Sequence, residues 1–259
     1  MTTNERLQDA SRVHGAAVLP HGRARPWFTA TPRAPKRARW PATRGALPTP
    51  GLLAPEPDVS LLFTATPTLA PQRGLGDSDF SRAAAALGAA PAAVQAVADV
   101  ETSGNAFDER GRPRILFERH YFHRLTAGKF DASHPAISAP TAGGYGTFAE
   151  QYGKLAVAYR LDPDAALRSA SWGRFQIMGD NHAAAGFASV RAFVAALVRS
   201  EAAHLDAFVA FVACNQAMVQ ALRARDWAAF ARRYNGPAFA KNCYDAKLAE
   251  AYGRYAKVA

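Results

Sequence analysis

Glu101 has the side chain of a proton donor at a position where an acid can act. Val94, Val97 and Ala98 precede it at helical spacing, so all four side chains share one face of a predicted α-helix. A proline suits the first turn and a glycine follows, which predicts that the helix ends just beyond the glutamate. A carboxyl group in an apolar setting at a cleft edge tends to have a raised pKa, which suits a general acid near neutral pH. A helix-terminal glutamate that bends back to solvent would show the same spacing.

Cleavage of a glycosidic bond is a reaction that such an acid serves. The leaving oxygen needs a proton, and the oxocarbenium-like centre needs a stabilising group. Glu118 is a possible second acid, although its neighbours Arg119 and His120 fit a structural salt bridge equally well. Asp108 and Glu109 adjoin an arginine, and we expect them to be structural or solvent-exposed.

The segment Ser171–Gly179 has the composition of a cleft wall. The amide of Gln176 offers a donor and an acceptor to an N-acetyl group or a sugar hydroxyl. Trp172 and Phe175 have flat apolar faces on which a sugar ring can lie, although for Phe175 and Ile177 we favour a place in the core.

Residues at two further positions are candidates for contact with a ligand. Tyr145 stands between glycines and is either a cleft-lining aromatic or a loop anchor. Asn235 and Gly236 form a turn that ends a helix. His120 and His123 share a helical face but lack a third ligand at a spacing diagnostic of zinc. Phosphate-loop, dinucleotide and serine-nucleophile motifs are absent. We therefore expect no metal and no cofactor.

Five short motifs in a fixed order resemble those of the phage-type N-acetylmuramidase family of endolysins. This family belongs to the superfamily of goose-type lysozymes and lytic transglycosylases. The resemblance extends from about residue 77 to the C-terminus. The motifs are Glu101–Gly104, Gly111–His120, Gly143–Gly146, Ser171–Gly179 and Ala231–Pro237.

The resemblance implies a peptidoglycan hydrolase that cleaves the β-1,4 bond between N-acetylmuramic acid and N-acetylglucosamine. Glu101 would be the catalytic acid, Tyr234 would lie close to it, and Gln176 would assist. One alternative is a lytic transglycosylase, which yields 1,6-anhydromuramic products. Another is a non-catalytic wall-binding or phage structural protein that keeps the fold.

Charge and proline content divide the chain near residue 76. Residues 1–76 carry 10 Lys and Arg against 4 Asp and Glu, and they hold 11 of the 17 prolines. Residues 77–259 carry 21 Lys and Arg against 17 Asp and Glu. The first segment lacks apolar periodicity, so we expect a disordered basic Pro-rich tail before one catalytic domain at 77–259. Limited proteolysis would then leave a core that begins near residues 73–79.

The basic tail suits generic attraction to polyanions better than specific nucleic-acid binding, because it lacks a recognisable nucleic-acid motif. The expected partners are peptidoglycan glycan strands. No segment approaches the ~20 apolar residues of a membrane span, and no credible signal peptide is present. We expect a monomer that is made in the cytoplasm and needs help, such as a phage holin, to reach the cell wall.

The predicted fold is mainly α, a lysozyme-like helical domain with a small β or loop insert after the catalytic glutamate. Residues 190–224 are expected to form one long helix, or two with a break near Asp206. A small hairpin is expected at 114–117. Cys214 and Cys243 are expected to be reduced core thiols, with a disulfide left open. The other predicted helices are 77–87, 91–103, 147–159, 162–169, 226–234 and 241–255.

Overall fold

The computed structural model describes residues 57–63, 69–102, 105–236 and 239–257. Within them the protein is mainly helical, with a small antiparallel sheet inserted after the helix that carries Glu101, and this confirms the predicted fold class. The helices are α1 Asp77–Leu87, α2 Pro91–Thr102, α3 Arg119–Leu125, α4 Gln151–Leu161, α5 Pro163–Arg168, α6 Val190–Arg199, α7 Glu201–Ala213, α8 Gln216–Ala224, α9 Trp227–Tyr234 and α10 Tyr244–Tyr255. The strands are β1 Ile115–Phe117, β2 Ala170–Trp172 and β3 Ile177–Met178.

Polar residues determine where many of these helices begin. In five of them the residue before the first turn accepts a hydrogen bond from the backbone N–H three residues later, at 2.9–3.2 Å. These caps are Asp162, Ser189, Ser200, Asn215 and Asp226.

The predicted tract at 190–224 is therefore three helices, because the caps at Ser200 and Asn215 interrupt it. The predicted break near Asp206 is wrong. Asp206 lies inside α7, where its carboxylate pairs with Arg82 at 2.6 Å. The cysteines also differ from expectation, since Cys214 and Cys243 are both exposed and unpaired with each other.

The apolar face of α2 is buried, as its spacing predicted: Val94, Val97 and Ala98 all lie in the hydrophobic core. Helix α2 packs against α1 and α10. Helix α7 is apolar on most of its surface and supplies Phe208, whose ring stacks on Phe175 at 4.5 Å between centroids.

The sheet joins parts of the chain that are far apart in sequence. Strand β1 pairs with β2, so that Ile115 lies opposite Trp172, and β2 continues through a tight turn into β3. A strand is present at the position of the hairpin predicted at 114–117, but its partner comes from residues 170–172, and the local pairing is an isolated antiparallel bridge between Phe107 and Pro113. This pairing brings the segment after Glu101 against the Ser171–Gly179 motif.

Two stretches before α1, residues 57–63 and 69–76, pack against the helical body. Val59 and Leu62 are buried in the hydrophobic core. For these residues the structure differs from the expected disordered tail, because a few apolar side chains suffice to hold a segment that has no periodic pattern. Residues 1–56 lie outside the described part of the chain, and their disorder stays a prediction.

The junction between α6 and α7 holds the second stretch by backbone hydrogen bonds. Gln72 donates its N–H to the Arg199 carbonyl at 3.0 Å, and its own carbonyl accepts the Glu201 N–H at 2.9 Å. The Gly74 N–H donates to Glu201 Oε2 at 2.6 Å. The N-terminal segment thereby satisfies backbone groups and a buried carboxylate that α6 and α7 leave open.

His204 is the one basic residue of α7, and its side chain is buried. Its Nδ1 accepts the Arg174 N–H at 3.0 Å, so Nε2 carries the proton and donates to the Leu197 carbonyl at 2.7 Å. Burial lowers the pKa of this imidazole from 6.5 to about 4. The ring is neutral at pH 7 and supports the turn that follows Gly173.

A chain that begins at residue 77 should be less stable than one that begins at residue 57. The shorter chain loses the burial of two aliphatic side chains, roughly 1.5–3 kcal/mol each, and the hydrogen bonds of Gln72 and Gly74. The two chains have the same net charge, because residues 57–76 contain one Asp and one Arg. Thermal unfolding followed by circular dichroism should show a Tm lower by about 10 °C. Equal Tm values would contradict the assigned packing.

The stability of the protein should fall as the pH drops from 6.5 towards 4. The unfolded state binds a proton on His204 in this range and the folded state does not, so acid favours unfolding. The contribution is on the order of 3 kcal/mol. Urea titrations at several pH values should show a flatter dependence for His204→Asn than for the unsubstituted protein. Parallel profiles would show that another group is responsible.

Candidate active site

Glu101 lies in the last turn of α2 with only 6% of its surface exposed. The side chain points into the protein beside the buried valines, and not back to solvent. Its Oε1 accepts a hydrogen bond from Asn235 Nδ2 at 2.7 Å. Ser103 and Gly104, which complete the first motif, lie outside the described residues.

Asn235 follows the last residue of α9 and is itself buried. Its N–H donates to the Ala231 carbonyl at 2.7 Å, which ends the helix, and Gly236 continues in the left-handed region at φ +80°. The predicted turn is therefore present. The Asn235 side chain contacts the carboxyl group of Glu101, so Asn235 positions the acid from the end of α9.

Tyr234, the last residue of α9, holds the end of this helix in place. Its hydroxyl donates to the Phe175 carbonyl at 2.7 Å, and its ring stacks on Phe230 at 5.4 Å. Burial, followed by the nearby charge of Glu101, raises the pKa of Tyr234 well above its usual value. Tyr234 is close to the candidate acid, as the resemblance implied, but it is fully buried and does not face a ligand.

Gln176 fixes the turn between β2 and β3. It adopts a left-handed conformation at φ +47°. Its Nε2 donates to the carbonyls of Gly173 at 2.8 Å and Arg114 at 3.2 Å, and its Oε1 accepts from Ser171 Oγ at 2.9 Å. Both amide hydrogens are thus used inside the protein, and Oε1 has one further lone pair.

Gly173 begins this turn at φ +68°, and a Cβ on it would lie 2.5 Å from His204 Nδ1. Only glycine fits both the conformation and the space. Arg174 next to it forms an ion pair with Glu201 through Nε, and its NH1 contacts the Ala98 carbonyl at 3.5 Å. Arg174 thereby joins the turn to α2 just before Glu101. The sequence pattern gave no signal for this pair.

Trp172 does not form the expected platform for a sugar ring. Its side chain is 1% exposed and its Nε1 donates to the Leu167 carbonyl at 3.0 Å. The reason is its position on the central strand of the sheet, which is covered on both faces. Phe175 and Ile177 are also in the core, as favoured from the sequence.

Tyr145 combines the two roles that its sequence left open. Its side chain is partly exposed, and its hydroxyl donates to Glu118 Oε2 at 3.0 Å. Its carbonyl accepts from Gln151 Nε2 at 2.6 Å and Lys154 Nζ at 2.7 Å. The Gly143–Gly146 loop is therefore firmly anchored, with an aromatic ring at its surface.

Glu118 is fully buried directly after β1. His120 Nδ1 lies 3.1 Å from Glu118 Oε2, within ion-pair distance but outside hydrogen-bond geometry. Arg119 turns away and donates to the Thr141 carbonyl. These contacts make Glu118 an anchor for Tyr145, which favours the structural interpretation over that of a second acid.

Of the remaining candidates, Asp108 and His123 have structural partners, whereas Glu109 is exposed. The Asp108 carboxylate binds the Arg112 side chain at 2.7 Å, and His123 Nδ1 lies 2.7 Å from Asp131. In the part of the chain that the structure describes, no group of three or more His, Cys, Asp or Glu could hold a metal ion. No single helix there is both long and apolar enough to cross a membrane.

The chain is similar to known proteins over more than half of its length. The family model of the N-acetylmuramidases matches residues 90–256. Among solved structures, the crystal structure of the Burkholderia AP3 phage endolysin has 45% sequence identity and a TM-score of 0.67, with 72% of each chain covered. A search of curated proteins finds no match. The match spans every candidate site residue, from Glu101 to Asn235, and the chain belongs to the N-acetylmuramidase family.

Proposed function

We propose that this chain is a peptidoglycan muramidase in which Glu101 is the general acid. The substrate is the glycan strand, and the bond cleaved is the β-1,4 bond between N-acetylmuramic acid and N-acetylglucosamine. The observation that supports this most directly is a buried glutamate at a helix end, held by Asn235 at 2.7 Å, in a chain of the N-acetylmuramidase family.

The contact with Asn235 orients the proton. Oε1 of Glu101 accepts the amide hydrogen, which orients the carboxyl group that donates its proton to the glycosidic oxygen. Transfer of this proton breaks the C–O bond of the leaving sugar and leaves an oxocarbenium-like centre. Attack by water at that centre, with loss of its proton to the carboxylate, gives a reducing muramic acid and restores Glu101.

The surfaces around this centre fit a neutral sugar polymer. Gln176 Oε1 can accept from an N-acetyl N–H or a hydroxyl, and the partly exposed ring of Tyr145 can contact a sugar face. Trp172 and Tyr234 are buried and fix the backbone of the segments that carry the site. No cofactor enters the reaction. We also propose that the chain acts as a monomer on the cell wall, without a specific nucleic-acid partner, and reaches the wall with the help of a holin.

Glu101→Gln should abolish lysis of wall suspensions, because the amide keeps the shape but has no acidic proton. We expect a loss of about 100-fold or more. Glu118→Gln is the matched control: it should cost less than about 10-fold, because an amide oxygen still accepts from Tyr145. Circular dichroism checks that both variants fold. Equal lysis by Glu101→Gln and the unsubstituted protein would remove Glu101 from the mechanism.

Asn235→Ala should lower kcat by about 10-fold, since one hydrogen bond of about 1–1.5 kcal/mol that aligns the acid is lost. The Tm should also fall by about 5 °C, because the buried Glu101 carboxyl group loses this hydrogen bond at a cost of about 1–3 kcal/mol. The rate is measured from released reducing ends. An unchanged kcat would show that the Glu101 carboxyl group is oriented without this contact.

The products distinguish hydrolysis from the transglycosylase reaction. Attack by the 6-hydroxyl of the muramic acid would give a 1,6-anhydro product that is lighter by one water. We expect mass spectra of released muropeptides to contain reducing muramic acid. Anhydro ends would instead assign a lytic transglycosylase, and insoluble peptidoglycan that is bound but releases no fragments would assign a wall-binding protein.

A further inference from the structure

Phe148 is one of two large hydrophobic side chains that are highly exposed among the described residues, with 59% of its surface accessible. The Arg114 guanidinium lies over its ring, 4.5 Å from the centroid. A guanidinium that stacks on an aromatic face keeps its N–H edges directed outward. The pair therefore presents a flat apolar patch bordered by up to five hydrogen-bond donors.

Both residues of this pair are connected to segments of the candidate active site. The Arg114 carbonyl accepts the Gly173 N–H at 2.7 Å and the Gln176 side chain at 3.2 Å, so Arg114 is fixed to the β2–β3 turn. Phe148 follows the anchored loop that presents Tyr145. The pair thus adjoins both the Gln176 turn and the Tyr145 loop.

Six other arginines of the described residues stack on aromatic rings, and three of them also pair with a carboxylate. Arg112 lies over Tyr152, Arg124 over Tyr121 and Arg191 over Tyr159, and the three pair with Asp108, Asp180 and Asp164 respectively. Within the described residues, no hydrogen bond or ion pair involves the Arg114 guanidinium. The nearest acidic residue in the loop, Glu150, accepts from the Thr147 N–H at 2.8 Å. The position of a carboxylate on Arg114 is thus open to a ligand.

We propose that Arg114 and Phe148 form a subsite for the peptide attached to N-acetylmuramic acid. The guanidinium binds a peptide carboxylate in a bidentate manner, and the ring contacts the small apolar side chains of the peptide. In a peptide-bearing strand the lactyl carboxyl group of muramic acid forms the amide bond to the peptide, so the free carboxylates of this substrate are those of the peptide. The subsite makes the enzyme prefer peptide-bearing strands, and this inference depends on the proposed peptidoglycan substrate.

The test measures kcat and KM of Arg114→Ala and Arg114→Lys on three substrates: intact peptidoglycan, peptidoglycan whose carboxyl groups are amidated, and glycan strands freed of peptide by an amidase. The amidase leaves a lactyl carboxylate on each muramic acid of the third substrate, and these carboxylates are amidated before the assay. Arg114→Ala should raise KM on intact peptidoglycan about 10-fold or more, with kcat nearly unchanged, as loss of a charge-assisted contact implies. On the other two substrates it should have no effect. Arg114→Lys should recover only part of the affinity, because an ammonium group lacks the planar fork.

Arg160→Ala is the control for net charge. Arg160 is exposed in the last turn of α4, whereas Phe148 lies before the first turn of that helix, about 14 Å away along the axis. This control should behave like the unsubstituted protein on all substrates. If Arg160→Ala raised KM as much as Arg114→Ala does, general electrostatic attraction would replace the proposed subsite. If Arg114→Ala raised KM on peptide-free strands as much as on intact peptidoglycan, contact with the glycan would replace it.

Binding separates this proposal from the assignment of the reaction. Each substitution at Arg114 is combined with Glu101→Gln, and the protein is sedimented with intact or amidated sacculi. Weaker binding of the Arg114→Ala combination to intact sacculi alone supports the subsite, even if no variant releases fragments and the proposed reaction is wrong. Equal sedimentation with both kinds of sacculi, with or without Arg114, overturns the subsite while leaving the proposed reaction intact.

Discussion

The burial of the Glu101 carboxyl group is the constraint on which the site depends. Helix α2 carries this group into the interior on the same face as its valines, where an unsatisfied polar group is costly. The Asn235 amide meets it at 2.7 Å, which requires α9 to end at that point. Tyr234 secures this helix end by its hydrogen bond to the Phe175 carbonyl. One polar contact thus relates α2, α9 and the β2–β3 turn.

A buried ion pair provides a second connection between the same parts. Arg174 binds Glu201 and reaches the carbonyl of Ala98, so the turn, α7 and α2 are held together. Such a pair is stable only if its remaining hydrogen-bonding groups are satisfied. Gly74 does this for Glu201 Oε2. The segment before α1 therefore takes part in forming the site, although none of its side chains has a chemical role there.

The aromatic residues divide into supports and surface groups. Trp172 and Tyr234 are buried, and each donates its polar hydrogen to a backbone carbonyl. Tyr145 and Phe148 lie on the anchored loop before α4 and remain accessible. A polymer substrate can contact the second group without any change in the first. Specificity can consequently vary in the loop while the position of Glu101 is preserved.

The sequence by itself determined the fold class and the family, and it placed Glu101 on the apolar face of a helix end. These depend on local features: helical spacing of apolar residues, glycine and proline at helix ends, and motifs in a fixed order. It did not determine the pairing of β1 with β2, the packing of residues 57–63 and 69–76, or the burial of Trp172. Nor did it show that Asn235 contacts Glu101, that Arg174 pairs with Glu201, or that Arg114 lies on Phe148. Each of these joins residues that are distant in the chain, and only the tertiary structure decides which distant groups meet.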